Sequence, residues 1–179
     1  MRIGIIGAGQ LGQMLGLAAQ QLGDSCRFID PSAAPPAASA GTVIQAAFDD
    51  SAALAELAGS SDVVTYEFEN VPVEALSTLT GRVPVYPPPS ALRQAQDRLA
   101  EKRLFASLDI PLPAFFTVDS ANDLHNAATS IGLPLVVKTR RMGYDGKGQA
   151  VLRDLQQVET VSEQLGPSGL IAEQWIEFD

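Results

Sequence analysis

Val136-Val-Lys-Thr-Arg-Arg-Met-Gly-Tyr-Asp-Gly-Lys-Gly-Gln149 is the stretch that decides how this chain is read. An apolar run from Leu133 to Val137 reads as buried strand, and Lys138 ends it. A lysine at the edge of a core needs a partner, because an unpaired buried charge is costly. The loop that follows carries Gly143, Gly146 and Gly148, so its backbone can bend close to an anion. Lys138, Arg140, Arg141 and Lys147 place four cations within ten positions. Backbone N–H groups and ammonium groups together suit a flap over a polyphosphate. The plainer alternative is a solvated basic hairpin turn, which leaves Lys138 at the end of a buried run unexplained. Gln149 to Leu152 is expected to be the return strand of this hairpin.

Composition narrows the field. The chain has 179 residues and a net charge of −9, which fits one large or two small domains. That acidity argues against a general nucleic-acid surface, which needs a basic face. A single cysteine, Cys26, excludes an intrachain disulfide and fits a reducing cytoplasm. No apolar run reaches membrane-spanning length, and Arg2 leads straight into a strand without a signal-peptide pattern.

Upstream, the pattern alternates strand and helix. Arg2 to Ile6 reads as a buried strand, and Gly7-Ala-Gly-Gln-Leu-Gly12 matches G-x-G-x-x-G at a strand-to-helix turn. Leu11, Met14, Leu15, Ala18 and Leu22 form one stripe of the next helix, the side expected to meet the core. Strands are expected at Cys26 to Asp30, Thr42 to Ala46 and Asp62 to Tyr66, with helices over 51–58 and 72–80. This βα succession predicts a parallel sheet. Asp30 ends the second strand where a ribose-binding acid of a dinucleotide fold would stand, so an NAD-binding oxidoreductase domain is one reading. The glycines are equally served by a tight turn and close helix packing. Tyr66-Glu-Phe-Glu-Asn-Val-Pro72 delivers Glu67 and Glu69 at a strand's C-terminal edge, both to one side if extended. Asn70 is a candidate cap for the helix after Pro72.

Pro87-Pro88-Pro89 marks a boundary, so the domains are placed at 1–89 and 90–179. Ser90 is expected to cap one helix running through Leu108. The second domain reads as strand Phe115 to Val118, a helix capped by Ser120 and stopped by Gly132, the hairpin, a helix from Asp154 to Leu165, and a last strand Leu170 to Ile176. Gln157 stands at capping-box spacing from Asp154. His125, the single histidine, is placed on the surface without chemistry.

The chain resembles the ATP-grasp superfamily, and within it the N5-carboxyaminoimidazole ribonucleotide synthetase family. Five segments in order carry the resemblance: Gly7-Ala-Gly-Gln-Leu-Gly-Gln-Met14, Thr65-Tyr-Glu-Phe-Glu-Asn-Val-Pro72, Gln96-Asp97-Arg98 with Lys102, the hairpin from Val137 to Gln149, and Glu173-Gln-Trp-Ile176. It implies an α/β fold, with an N-terminal parallel-sheet, Rossmann-like pre-ATP-grasp domain followed by a small α+β ATP-grasp lobe. It implies ATP-dependent carboxylation of 5-aminoimidazole ribonucleotide by bicarbonate, through carboxyphosphate, in purine biosynthesis. By the same resemblance Arg98 and Lys138 meet nucleotide phosphates, and Gly143, Tyr144, Asp145, Gly146, Lys147, Gly148 and Gln149 form the flap. Glu173, Gln174, Trp175 and Ile176 form the adenine hinge, and Gln10, Leu11 and Glu67 contact the ribonucleotide. Lys147, Asp145 and Tyr144 are the expected catalytic set. The family further implies cytoplasmic homodimers that use Mg2+, with no nucleic-acid or membrane partner. Met142 stands where many relatives carry another glycine and is expected to stiffen the loop. The chain stops at Asp179, and the magnesium ligands are expected beyond it, so the isolated chain reads as a truncated and inactive portion. A non-catalytic nucleotide-binding fragment is the remaining alternative.

Overall fold

The computed structural model describes residues 1–143, 146–166 and 169–177. They divide into two compact units, Met1–Arg93 and Gln94–Asp179.

In the first unit, β1 (Arg2–Ile6), β2 (Ser25–Asp30), β3 (Thr42–Gln45) and β4 (Val63–Tyr66) form a parallel sheet in the order β3-β2-β1-β4. Crossovers run through α1 (Gln10–Gln21) and α2 (Ser51–Ser60), and α3 (Val73–Ser77) follows β4. Both faces of such a sheet are covered, so its strands are apolar on both sides. Ile6 and Ile29 pack with Leu54, Leu57, Leu76 and Leu79 on one face, while Ile5 and Phe28 pack with Ala19 and Ala37 on the other. Asp50 caps α2, accepting from the N–H groups of Ala52 and Ala53, both at 2.9 Å.

The side of α1 that meets the core is not the apolar stripe expected from the sequence. Leu11, Met14, Leu15 and Leu22 are exposed, whereas Gly12, Gly16 and Ala19 are buried. Small residues win because the helix lies too close for larger ones. A β-carbon built on Gly16 falls 2.8 Å from Ala40 Cβ and 3.0 Å from Phe28 Cζ.

The proline stretch also behaves differently. Pro89 opens α4 (Pro89–Ala95), where its missing N–H is harmless in the first turn. The single helix expected from Ser90 to Leu108 is two, because Asp97 leaves helical geometry at ψ 113° and caps α5 (Arg98–Ser107). Asn70 caps no helix: α3 starts at Val73 with Pro72 at its N-cap and no side-chain cap.

The second unit is an antiparallel sheet in the order β5-β8-β6-β7. Its strands are β5 (Phe115–Val118), β6 (Leu135–Thr139), β7 (Gln149–Leu152) and β8 (Leu170–Gln174), with α6 (Ala121–Ile131) and α7 (Val158–Leu165) on one face. Alternation along β6 sends Leu135 and Val137 into the core with Leu124, Ala127 and Val161. Val136 and Lys138 therefore point to the opposite face. Asp154 caps a short 3-10 turn rather than α7 itself, and Gln157 Oε1 accepts from Arg153 N–H at 3.1 Å. β8 ends at Gln174, two residues before the expected end at Ile176.

Gly16→Val is expected to cost roughly 1–3 kcal/mol through overpacking, whereas Met14→Gln stays within about 0.5 kcal/mol as an exposed change. Urea unfolding of the two variants measures both.

Candidate functional site

Two groups of predicted residues assemble, one in each unit. In the first, the C-terminal ends of β1, β2 and β4 bring the glycine turn, Asp30 and Glu67 together. That edge is where open α/β sheets hold ligands. Gly7 has φ +102°, a conformation natural only to glycine, and a β-carbon there would lie 2.7 Å from Glu67 Oε1. Ala8 N–H donates to Asp30 Oδ2 and Gly9 N–H donates to Glu67 Oε1, each at 2.9 Å. Both acids are thus engaged by the turn. A dinucleotide fold needs those N–H groups for pyrophosphate and the acid for ribose, so the NAD reading loses its two supports. The strand ends at Tyr66 and the chain turns at residues 69–70, so Glu67 and Glu69 do not share an extended face. Gln10 is exposed at the start of α1, and Leu11, Met14, Leu15 and Glu67 line an open cavity of about 470 Å³.

In the second unit, register does the assembling. Glu173 stands opposite Phe115 on β5 and Val136 on β6, so it shares a face with Lys138, two residues further along β6. Glu173 is 7% exposed. Its Oε2 lies 3.0 Å from Lys138 Nζ and 3.4 Å from Lys102 Nζ. Lys102 also lies 5.9 Å from the centre of the Phe115 ring. The partner that Lys138 required is therefore Glu173. The resemblance assigns that residue to the adenine hinge, whereas its side chain faces the lysines. Lys102 stands out in the sequence only as part of a motif; its spacing of four from Arg98, one helical turn, was the available signal.

Arg98 is tied to the loop. Its backbone N–H donates to Arg140 O at 2.9 Å, and its Nη2 donates to Gly143 O at 3.1 Å. Arg140 forms a two-pronged pair with Asp97, and Arg141 Nη2 donates to Gln96 Oε1. The described part of the loop folds back on Thr139, whose N–H donates to Gly148 O at 2.8 Å. Met142 takes φ +64°, so the chain keeps a glycine-like conformation there despite a side chain. Gly146 and Lys147 are exposed, and Gln149 pairs with Lys138. Tyr144 and Asp145 lie outside the described residues.

At the expected hinge, Gln174 N–H donates to Ala114 O at 2.8 Å, closing the register. Trp175 lies beyond it with the Arg153 guanidinium 5.5 Å from its ring, and Ile176 is exposed. The chain's three lysines, Lys102, Lys138 and Lys147, all belong to this region. Among the described residues no group of three or more His, Cys, Asp or Glu is placed to hold a metal. Glu173 and Asp97, the acids nearest the cations, are both committed to basic partners. The described residues therefore do not fit a magnesium site.

The first 96 residues match the ribonucleotide synthetase preATP-grasp domain, and residues 103–179 match the ATP-grasp domain. The chain belongs to the ribonucleotide synthetase preATP-grasp family. This preATP-grasp chain is 48% identical, over 99% of its length and 49% of the relative's, to N5-carboxyaminoimidazole ribonucleotide synthase of Pseudomonas aeruginosa. The crystal structure of the corresponding synthetase from Thermus thermophilus superposes at a TM-score of 0.91 with 47% identity, covering 99% of this chain and 48% of that one. The Staphylococcus aureus enzyme complexed with ADP gives 0.95 with 35% identity and the same coverages. The chain thus spans about half the length of the relatives it matches. Among the described residues no helix is long and apolar enough to cross a membrane.

Burial alone raises the Asp97 carboxyl's pKa, but the hydrogen bonds from Arg140 and Leu99 outweigh it and hold it below the usual range. A folded value below the unfolded one makes this stabilisation complete above about pH 4. It is then lost as pH falls through the folded value. Stability measured from pH 5 down to pH 2 is expected to fall further for the wild type than for Asp97→Asn.

Proposed function

We propose that this chain carries the ribonucleotide-facing and nucleotide-phosphate-facing parts of an ATP-dependent ligase. The reaction is carboxylation of 5-aminoimidazole ribonucleotide to N5-carboxyaminoimidazole ribonucleotide. The observation that carries this reading is the buried Glu173 carboxylate holding Lys102 and Lys138 beside a glycine-rich loop. Residues 1–89 serve as the substrate-binding domain, and residues 90–179 as the first part of the ATP-grasp domain. The relatives' names and the ADP carried by one of them support the same assignment.

In this reading a bicarbonate oxygen attacks the γ-phosphorus of ATP. The bond to the β-γ bridging oxygen breaks, and ADP and carboxyphosphate form. The substrate amine then attacks the carboxyl carbon, phosphate leaves, and the amine loses a proton to give the carbamate. The protein's part is positioning and charge neutralisation. Lys138, Arg98 and Lys147 offset the charge that gathers on the transferring phosphoryl group. Gly143, Gly146, Gly148 and Gln149 shape the loop over it, with Tyr144 and Asp145 assigned to the reacting end. Gln174, Trp175 and Ile176 cover the base, and Glu173 acts through the lysines. Gln10, Leu11 and Glu67 face the ribonucleotide. The reading extends to a cytoplasmic homodimer in which ATP brings magnesium, its protein ligands lying outside the described residues.

The test is ADP release with ATP, bicarbonate and 5-aminoimidazole ribonucleotide. It is run on the 179-residue chain and on the same chain extended by the C-terminal half of the Pseudomonas aeruginosa relative. Release that needs both co-substrates is expected from the extended form. Lys138→Ala in that form should lower turnover on the order of 10²–10³-fold with an unchanged fold. Near-normal turnover in this variant contradicts the assignment, and nucleotide binding without turnover in either form favours the non-catalytic alternative.

A further inference from the structure

The proposed reaction uses Arg98 from the Gln96-Asp97-Arg98 segment and leaves Asp97 without a role. Its geometry gives it one. Oδ1 accepts from Leu99 N–H at 2.9 Å and Ala100 N–H at 3.4 Å, which caps α5. The same carboxylate accepts Arg140 Nε at 3.0 Å and Arg140 Nη2 on its other oxygen. Capping alone needs one oxygen and no charge; the fork from Arg140 uses both oxygens and the charge.

The neighbouring bonds run between the same two segments. Gln96 takes Arg141, and Arg98 takes the carbonyls of Arg140 and Gly143. Three consecutive residues grip three of the four at 140–143. Arg140 N–H also donates to Gly169 O at 2.9 Å, so the gripped end is itself held. The two sides lie 43 positions apart in sequence.

The consequence falls on the cations. Arg98 and Lys102 stand one turn apart on α5, while Lys138 stands on β6 two residues before Arg140. Glu173 ties Lys102 to Lys138, but nothing in that pairing fixes how far α5 slides or turns. We propose that Asp97 is a positioning residue: through Arg140 it sets the register of α5 against the start of the glycine loop. It thereby holds Arg98 and Lys102 facing Lys138 for a polyphosphate. The polyphosphate part rests on the function proposed above; the grip itself does not.

Asparagine caps helices about as well as aspartate but cannot form the charged fork. Asp97→Asn therefore removes the grip and keeps the cap, whereas Asp97→Ala removes both. Trypsin supplies local reporters, because the chain carries Arg140 and Arg141 at the grip and Arg27 in the other unit. In Asp97→Asn, native-state cleavage after Arg140 or Arg141 is expected to quicken about tenfold, while the rate after Arg27 changes far less and the Tm falls only slightly. With 13C-labelled lysine, the Lys102 and Lys138 signals should move in the same variant without any nucleotide. Arg140→Lys, which keeps the charge and loses the fork, should fall between. Asp97→Ala, which also loses the cap, should lower the Tm further. The proposal is overturned if the lysine signals stay in place. It is equally overturned if cleavage at Arg27 rises in step with Arg140, the mark of general destabilisation. Wild-type chain that fails to bind ADP defeats the polyphosphate reading and leaves these ligand-free outcomes to decide the grip.

Discussion

A buried carboxylate between two lysines governs the second unit. Glu173 sits at 7% exposure on β8, with strands on both sides. An isolated charge there carries a desolvation cost that no single surface contact offsets. Lys138 and Lys102 offset it together, one from the adjacent strand and one from a helix that must come close enough to reach. The arrangement constrains much else: β8 must pair with both β5 and β6, Glu173 must face away from the α6–α7 core, and α5 must lie over Phe115. One carboxylate with two cations leaves a local excess of positive charge beside a loop rich in glycine. That excess is what an anionic ligand can use.

The first unit solves a different problem with the same chemistry. Its glycine turn presents backbone N–H groups at the end of β1, and two of them are met by Asp30 and Glu67. Those two donors are therefore occupied where a dinucleotide fold leaves them to its ligand. The motif spacing alone does not decide whether those N–H groups are open to a ligand; acids 22 and 58 positions away do.

Much of the architecture was legible because periodicity reports burial. The parallel βα order, the strand Phe115–Val118, the return strand Gln149–Leu152 and the helix stopped by Gly132 all stand where pattern and caps placed them. The inner face of α1 was not legible: apolar side chains normally mark that face, whereas here close approach to Phe28 and Ala40 selects Gly16 and Ala19. The break at Asp97 was hidden because aspartate in a charged run resembles solvated helix. Only the bonds it accepts from the Leu99 and Ala100 N–H groups distinguish a cap. In the site, the spacing could show that Lys138 needed a partner but not which one. Identifying Glu173 required strand register, which is a long-range property absent from local sequence. Lys102 was obscured for the same reason, since four of the ten α5 residues are charged.

Lys102 and Lys138, held by Glu173, are proposed to form a nucleotide-phosphate site. With three lysines in the chain, a 13C-lysine NMR spectrum gives three side-chain signals that can be followed as ADP is added. Saturable shifts of the Lys138 and Lys102 signals are expected, reversed when the nucleotide is dialysed away. A titration in which neither signal moves, or in which Lys147 alone responds, contradicts it.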